Sequence, residues 1–388
     1  MSWPDEPVRV RVPGTSANLG PGYDTLGLAL ALHDEVEARV TSPSSPSTLL
    51  PSVSISVLGE GAEDVADSGE KHLVVRAMRA AFDELGCGQP PGIELRCVNR
   101  IPHGRGLGSS AAAITAGILA ARALAGAPAG PEDVLPLATA MEGHPDNVAP
   151  CLYGGLTIAW LSDNGPRSVR LLPLPGVRPV VAIAPAPVST EVARGLLPDK
   201  VTHADAAVNA GRAALLVAAL TACPDALLDA TADLLHQDYR APAMPATHDL
   251  VRRLRAAGVP AVVSGAGPSV LAFLVDSGGN DPPQTPPAHG GAARPPVPPA
   301  GRPSGPPAPH TSTRGTTRPS GPPSPAGGRL QGPHTSGLDE VAGSFRDDLD
   351  KLDSTLREAG IEWRISPLDI ERQGASVTSG VPGVSVVW

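Results

Sequence analysis

The strongest constraint in this sequence is a glycine-rich stretch that runs directly into an apolar helix. Gly104, Gly106 and Gly108 alternate with other residues, and the small and apolar residues 110–125 follow them. Glycine adopts positive φ angles without strain and lets a ligand approach the backbone closely. The first N–H groups of a helix have no partner within the helix, and the helix dipole adds partial positive charge there. The pattern therefore predicts a phosphate-binding loop followed by a helix.

The spacing of these glycines excludes two common nucleotide-binding fingerprints. Ser109 stands where the last glycine of Gly-x-Gly-x-x-Gly would stand, and no Lys-Ser or Lys-Thr pair follows the loop. A dinucleotide-dependent oxidoreductase and a Walker-type nucleotidase are therefore disfavoured. An ordinary turn before a buried helix is the structural alternative for a glycine cluster of this kind.

The unbroken run 102–111 resembles motif two of the GHMP kinases, which include galactokinase, homoserine kinase and mevalonate kinase. In that family the loop holds the phosphates of ATP. The resemblance therefore implies ATP-binding residues at Pro102, His103, Gly104, Arg105, Gly106, Leu107, Gly108, Ser109, Ser110, Ala111 and Ala112.

A second motif follows the first predicted strand. Residues 13–24 are rich in turn formers and small hydroxyls, and they include Asn18 and Asp24. Taken alone, both side chains are as well explained by turn stabilisation as by ligand binding. The run resembles motif one of the homoserine kinases, and this resemblance implies that Asn18 and Asp24 line the substrate pocket.

A third polar cluster spans residues 142–147. It concentrates Glu142, His144, Asp146 and Asn147 around a proline, which is not a core pattern, although a solvated helix end is the structural alternative. The segment resembles the equivalent one of bacterial homoserine kinases. That resemblance implies that Glu142, with Ser110, holds Mg²⁺, an ion that prefers oxygen ligands.

The same resemblance implies that His144 and Asn147 contact the substrate hydroxyl. Asn147 stands near the place where other members of the superfamily carry an aspartate base. We therefore expect catalysis to depend on Asn18, Glu142 and Asn147. Asp146 and His144 are the only base candidates nearby in sequence, and we do not expect Asp146 to act as one.

Two arginines and a glycine turn complete the predicted site. Arg194 and Arg240 stand near the ends of predicted elements, where arginines usually carry no function. In homoserine kinases, arginines in matching contexts bind the substrate carboxylate, a role that suits the planar guanidinium fork. The turn 264–269 resembles motif three, which closes onto the phosphate loop.

Together these motifs predict ATP-dependent phosphorylation of the side-chain hydroxyl of L-homoserine, a step of threonine synthesis. In this interpretation Asp24 pairs with the substrate ammonium, while Arg194 and Arg240 bind its carboxylate. A kinase of the mevalonate type and a non-catalytic ATP-binding regulator remain as alternatives. Asn147 and Asp24 argue against the mevalonate type, and the retention of Ser110 and Glu142 argues against the regulator.

The length of 388 residues favours two domains. We predict an α+β fold of the GHMP kinase type, with an N-terminal ATP-binding α/β domain and a C-terminal ferredoxin-like α/β domain. The predicted boundaries are 1–168 for the first domain, 169–275 for the first part of the second, 276–337 for an insertion, 338–370 for the final helix and strand, and 371–388 for a tail.

The insertion is defined by its composition. Proline, glycine, serine, threonine and arginine dominate residues 276–329, and such a segment cannot bury enough apolar surface to order itself. We therefore predict that it is disordered and that its deletion leaves activity intact.

Charge and composition exclude several other functions. The net charge of −9 and the lack of a clustered Lys/Arg patch argue against nucleic-acid binding. The apolar helix from Ser110 contains Arg122 and is typical of a core helix, so no membrane span is expected. Without an apolar leader or paired cysteine spacing, the chain is expected to be cytoplasmic with reduced thiols. The sequence leaves the oligomeric state open, although homodimers are common among the relatives.

Hydrophobic periodicity and breaker residues predict the regular elements. Strands are expected at 8–12, 35–40, 53–58, 93–97, 156–161, 180–184, 261–263, 270–275 and 361–368. Helices are expected at 70–85, 110–125, 136–141, 205–220, 226–235, 250–257 and 338–360.

Overall fold

A computed structural model describes residues 3–41, 52–276, 350–352, 354–355, 363–379 and 385–387. The strands are β1 (Val8–Ala17), β2 (Leu26–Val40), β3 (Ser52–Gly59), β4 (Gly92–Asn99), β5 (Leu156–Ser162), β6 (Gly165–Leu171), β7 (Val177–Ile183), β8 (Ala261–Val263), β9 (Val270–Val275), β10 (Arg364–Pro367), β11 (Ser376–Ser379) and β12 (Ser385–Val387). The helices are α1 (Ala62–Val65), α2 (Leu73–Leu85), α3 (Ser109–Leu124), α4 (Pro131–Glu142), α5 (Pro145–Tyr153), α6 (Thr190–Gly195), α7 (His203–Thr221), α8 (Leu227–Ala230), α9 (Gln237–Arg240) and α10 (Pro245–Ala256).

The larger sheet contains eight of these strands and carries the N-terminal half of the fold. Its main path runs β12-β11-β1-β2-β4-β3, while β5 pairs with β2 and β6 with β5. Alternation along β1 explains which face is covered: Val8, Val10 and Val12 are buried, whereas Arg9 and Arg11 are exposed. The apolar face packs against α3 and α5, and α2 packs on α3, so this sheet has one helix-covered face.

The smaller sheet has the order β10-β7-β9-β8, and all its pairs are antiparallel. Every residue of β9 except the last is buried, because helices cover both faces of this sheet. On one face Leu250 and Leu254, one turn apart on α10, pack in a cluster with Val180. The combination of both sheets confirms the predicted α+β fold.

One hydrophobic cluster joins the two halves. Val8 and Ile114 of the first half share it with Leu216 of α7 and Phe273 of β9. The contact between the predicted domains is therefore apolar core rather than a wet interface. This packing fixes the N-terminal motifs relative to the residues carried by α6 and α9.

Two predicted boundaries differ from those of the structure. Residues 371–388 were expected as a tail, but β11 pairs antiparallel with β1, and β12 pairs with β11. The N-terminal sheet also continues past residue 168, because β6 ends at Leu171. The alternation along β11 is too short to predict a strand from the sequence. These residues form a strand because the open edge of β1 offers them backbone hydrogen bonds.

Two predicted helix bounds also differ from the structure. Helix α4 runs from Pro131 to Glu142 through Pro136, where a break was expected. A proline in this position removes one hydrogen bond to the carbonyl of Glu132, and that residue is exposed, so water can replace the partner. The helix expected over 226–235 is too long: α8 covers only Leu227–Ala230 of it, and α9 begins beyond its predicted end.

The insertion predicted at 276–337 lies outside the described residues except for Asp276, as does most of the helix predicted at 338–360. In the described part of the chain, one helix, α7, is long and apolar enough to cross a membrane by length and composition alone. Its C-terminal half lies in the core through Leu216 and Leu220, and the buried Asn209 donates to the Pro21 carbonyl at 2.8 Å.

Candidate active site

The phosphate loop leaves β4 and ends at the first residue of α3. Gly104, Gly106 and Gly108 have φ angles of 63°, 70° and 70°, so all three adopt the left-handed conformation that glycine tolerates. A Cβ on Gly106 would lie 2.1 Å from the carbonyl oxygen of Ser264, and one on Gly108 would lie 2.0 Å from Thr15 Oγ1. The glycines are therefore required both by backbone conformation and by close packing.

The three motif loops meet at this point. The backbone N–H of Thr15 donates to the Leu107 carbonyl at 3.0 Å, which joins motif one to the phosphate loop. Ser264 Oγ donates to the Gly106 carbonyl at 2.6 Å, which joins motif three to the same loop. The N–H of Gly265 donates to the Ala17 carbonyl at 3.1 Å and closes the triangle. The loops thus support one another through backbone groups.

Between these loops lies a cavity of about 270 Å³. It is lined by residues from all three motifs, the 142–147 segment, α6 and α9, namely Asn18, Gly104, Gly106, Leu107, Gly108, Ser109, Ser110, Glu142, His144, Asp146, Asn147, Val188, Ser189, Thr190, Arg194, Arg240, Gly265, Ala266 and Gly267. The structure therefore brings together all the predicted catalytic, metal and substrate residues except Asp24, which lies directly behind Arg194.

Asn18 lines this cavity, but its amide is largely used within the protein. Its Oδ1 accepts from the N–H of Asp24 at 2.9 Å, and its Nδ2 donates to the Gly265 carbonyl at 2.9 Å. Asn18 and Asp24 have φ angles of 67° and 52°, which are rare for residues with a Cβ. Asn18 thus holds motif one in its turn and leaves one N–H for a ligand.

The oxygen pair expected to hold a metal is present at the loop end. Ser110 Oγ, in the first turn of α3, donates to Glu142 Oε1 at 2.6 Å. Burial raises the pKa of Glu142, and among the described side chains no basic group lies within ion-pair distance of it. A half-buried carboxylate without a basic partner and a neighbouring hydroxyl fit a hard divalent cation. The described residues hold no cluster of three or more His, Cys, Asp or Glu suited to a metal, so phosphates and water must complete such a site.

His144 and Asn147 are each oriented by a second side chain. Asp146, whose side chain is buried, lies 2.5 Å from His144 Nδ1. Burial opposes the charged ring, but the Asp146 carboxylate outweighs it and raises the pKa of His144. Thr15 Oγ1 donates to Asn147 Oδ1 at 2.8 Å, so the Asn147 amide nitrogen is left to donate into the cavity.

The opposite end of the cavity carries charges of both signs. Arg194 binds Asp24 with both nitrogens of its fork, at 2.7 and 3.1 Å. This hydrogen bonding raises the pKa of Arg194. The predicted ammonium site and one predicted carboxylate site are therefore paired with each other in the structure.

Arg240 differs from Arg194 in its environment. It is 1% exposed, its Nε has no hydrogen-bond partner, and within the described residues no carboxylate lies at ion-pair distance from it. Burial lowers the pKa of Arg240. A buried guanidinium whose charge is not neutralised is a strong site for an anionic ligand group.

Some predicted ATP-binding side chains do not face a cavity. Arg105 donates to the carbonyls of Ala184, His103 and Pro185 at 2.8, 2.9 and 2.8 Å, so it ties the loop to the segment before α6. Pro102 and Ala111 are buried and line neither cavity. Their contribution to nucleotide binding is limited to backbone groups.

A second cavity was missed by the sequence analysis. It has a volume of about 300 Å³, and its lining residues include Lys71, His72, Asn99, His103 and Ala112. It shares Ser109 and Ser110 with the first cavity, so the two meet at the start of α3. The polar pair Lys71-His72 directly before an apolar helix was the available signal. The sequence analysis also missed the buried hydroxyls of Thr15, Ser16 and Ser264, which link the three motifs.

Comparison with known proteins agrees with this arrangement. Residues 72–155 match the family described as GHMP kinases N terminal domain. Homoserine kinase of Streptomyces coelicolor is 58% identical over 69% of this chain and 84% of its own length. Homoserine kinase of Clavibacter michiganensis is 53% identical over 70% of this chain and 84% of its own length.

The fold has solved counterparts as well. The crystal structure of homoserine kinase from Cytophaga hutchinsonii matches with a TM-score of 0.69 and 23% identity, over 97% of this chain and 99% of that one. At this identity the match establishes the fold, whereas the curated relatives establish the family. Both agree with the three motifs in the sequence. This chain belongs to the homoserine kinase family of the GHMP kinases.

Proposed function

We propose that this enzyme transfers the γ-phosphoryl group of ATP to the side-chain hydroxyl of L-homoserine, giving O-phospho-L-homoserine for threonine biosynthesis. One observation carries the proposal. A cavity with a glycine loop and a helix start at one end has Arg194 and Arg240 at the other, with Asp24 behind Arg194. Such an arrangement suits a triphosphate and a small zwitterion placed end to end.

ATP binding is supported by the two adjoining cavities. The adenine ring of ATP fits the cavity beside His72 and Asn99. The phosphates of ATP then extend past the start of α3 into the cavity that contains Glu142. Backbone N–H groups of the loop and of the first helical turn are free to donate to phosphate oxygens. The phosphate loop therefore supplies the phosphates with backbone dipoles, while Lys71 lines the adjoining cavity.

Mg²⁺ is the cation that Ser110 Oγ and the Glu142 carboxylate would hold. It would neutralise charge on the β- and γ-phosphates when bound. The contribution of the chain is to keep these two oxygens 2.6 Å apart at the helix start and to shield Glu142 from bulk water.

Homoserine binding is assigned to the charged end of the cavity. The substrate ammonium takes the place of Arg194 beside Asp24, and the substrate carboxylate binds Arg194 and Arg240. The guanidinium fork matches a carboxylate in shape, and the buried position of Arg240 strengthens the interaction. In this exchange each charged group of the zwitterion meets an opposite charge of the protein: the ammonium meets Asp24, and the carboxylate meets the two arginines.

The substrate hydroxyl lies between the two ends, where Asn147, His144 and the remaining N–H of Asn18 orient it. Its oxygen attacks the γ-phosphorus, the bond to the β,γ-bridging oxygen breaks, and ADP leaves. The hydroxyl proton passes to a γ-phosphate oxygen, so no protein base is required. Positioning and charge stabilisation supply most of the rate in such transfers.

Neither alternative is supported as well. A mevalonate-type substrate has no ammonium group for Asp24 to bind. A non-catalytic regulator would have no need for the 2.6 Å pairing of Ser110 with Glu142. A coupled ADP-release assay with L-homoserine, with mevalonate and without substrate separates the three. Release only with L-homoserine supports the proposal, and release with none of them contradicts it.

We further propose that the enzyme acts in the cytoplasm as a homodimer and binds neither nucleic acid nor membranes. Light scattering on the purified chain tests the dimer, and a mass of one chain, 39.3 kDa, would contradict it.

A further inference from the structure

The two substrate arginines are both in contact with the ring of Tyr23. The guanidinium carbons of Arg194 and Arg240 lie 5.7 and 5.6 Å from the centre of this ring. Like charges repel each other, and Asp24 neutralises only Arg194 directly, so the repulsion falls on Arg240, whose pKa is lowered by burial and by the charge of Arg194. The fold must therefore hold them in place, and neither α6 nor α9 is long enough to do so alone.

Tyr23 and His236 supply the groups that do so. Tyr23 Oη accepts from Arg194 Nη1 at 3.0 Å, and His236 Nδ1 lies 3.0 Å from Arg240 Nη1. The two rings are themselves in contact, with centres 5.3 Å apart and planes tilted by 32°. Each arginine thus has one of the two rings among its acceptors, beside Asp24 for Arg194 and the Gly265 carbonyl at 3.3 Å for Arg240.

The proton on His236 can be placed from its partners. Its Nε2 lies 2.8 Å from the Gly20 carbonyl oxygen, which can only accept, so Nε2 carries the hydrogen. Nδ1 is then a lone pair directed at Arg240. The ring is fully buried, and burial lowers the pKa of His236, which agrees with a neutral imidazole.

We propose that Tyr23 and His236 form a positioning pair that holds the two arginines at the spacing one substrate carboxylate requires, without neutralising Arg240. This inference rests on the proposed function and extends it to two residues outside the predicted site. A neutral acceptor fixes a guanidinium while leaving its charge for the ligand, whereas a carboxylate would compete with that ligand. The repulsion between the arginines is then overcome when the protein folds, so it does not reduce the free energy of substrate binding.

The chain offers variants that separate these contacts. Tyr23→Phe keeps the ring and removes the acceptor for Arg194. His236→Gln places an amide near the Nε2 position and removes the acceptor for Arg240, whereas His236→Asn keeps an acceptor near the Nδ1 position. Tyr239→Phe and His248→Gln are matched controls, because Tyr239 is exposed, His248 is half-buried beside Asp238, and neither lines either cavity.

The measurement is the affinity of two ligands by calorimetry, L-homoserine and 2-aminobutane-1,4-diol, which lacks the carboxylate. We expect Tyr23→Phe and His236→Gln each to weaken homoserine binding about tenfold, with the diol and the KM for ATP unchanged. His236→Asn and both controls should stay within about threefold of the wild type.

Equal weakening of both ligands by Tyr23→Phe and His236→Gln would overturn the inference, because it would show a general structural role. Unchanged homoserine affinity in Tyr23→Phe would also overturn it. This substitution removes only a hydroxyl, so Tyr23→Phe is expected to fold even if His236→Gln does not. A wild-type enzyme that does not distinguish the two ligands would overturn the proposed function itself, and that result is separate from any variant.

Discussion

At the loop end of the cavity the groups available to a ligand are mainly backbone N–H groups, whereas at the other end they are charged side chains. The loop end depends on close approach: Gly106 and Gly108 leave no room for a Cβ. The charged end depends on partners from distant segments, as in the pair Asp24–Arg194. Arg105, the basic residue within the loop, is directed away to three carbonyls.

The difference teaches how each end tolerates change. A substitution cannot remove a single backbone N–H group without moving the loop. A substitution in the loop should therefore affect the binding of both ATP and the substrate. Charged side chains act individually, so damage at the other end should affect one ligand group and leave ATP binding intact. The following predictions rank the two ends by the size of the expected effect.

The largest effect is expected at Gly106. In Gly106→Ala the new Cβ would lie 2.1 Å from the Ser264 carbonyl, so motif three must move away from the loop. We expect kcat/KM to fall about 1000-fold, because displacements near 1 Å already cost about 100-fold and positive-φ strain adds to this. Gly86→Ala is the control, with φ of 61° and no atom within 4 Å of its Cβ. Equal activity in the two variants would refute the close-packing argument.

Glu142 lies at the loop end but acts through its side chain. We expect Glu142→Gln to lower kcat about 100-fold with little change in the KM for homoserine, since one oxygen ligand with full charge is lost. The Mg²⁺ concentration for half-maximal rate should rise as well. Glu132→Gln, an exposed change on the same helix α4, serves as the comparison. An unaltered Mg²⁺ dependence in Glu142→Gln would remove Glu142 from the metal site.

The two arginines should differ from each other. We expect Arg240→Lys to raise the KM for homoserine about 30-fold, because a buried ammonium cannot both reach His236 Nδ1 and fork onto a carboxylate. Arg194→Lys should raise it about fivefold, since Asp24 can still pair with a lysine in this less buried position. Steady-state kinetics with ATP saturating would measure both, and the reverse order would contradict the assignment of Arg240 as the main carboxylate anchor.

The smallest effect is expected outside the cavity, where Glu371 lies 2.6 Å from His33 Nε2. This hydrogen bond is the main cause that lowers the pKa of Glu371 from 4.5. A lowered pKa stabilises the fold above the ordinary value and stops doing so as pH falls through the lowered one. Glu371→Gln should therefore cost about 1 kcal/mol of unfolding free energy at pH 7 and almost none at a pH well below the lowered pKa. Urea unfolding at both pH values measures this, and a changed KM would show that the contact reaches the site.

Much of the fold follows from local patterns. The strands β8 and β9 have the bounds that the sequence predicts, and α3 begins one residue before the predicted start. Helices and strands of this kind depend on periodicity and breakers within a few residues of one another. Elements without a strong period of their own, such as β11 and β12, were missed because only the edge of β1 makes them strands.

The same division holds for the site. The sequence by itself marked the glycine loop and the polar segment 142–147, because each is a short stretch with a distinctive spacing, whereas both arginines were predicted only from the resemblance to homoserine kinases. Only the tertiary structure decided that Arg194 pairs with Asp24 across 170 positions, and that Tyr23 meets His236. Contacts between such distant segments depend on how the shared core packs α6 and α9 against motif one, and no local spacing encodes that.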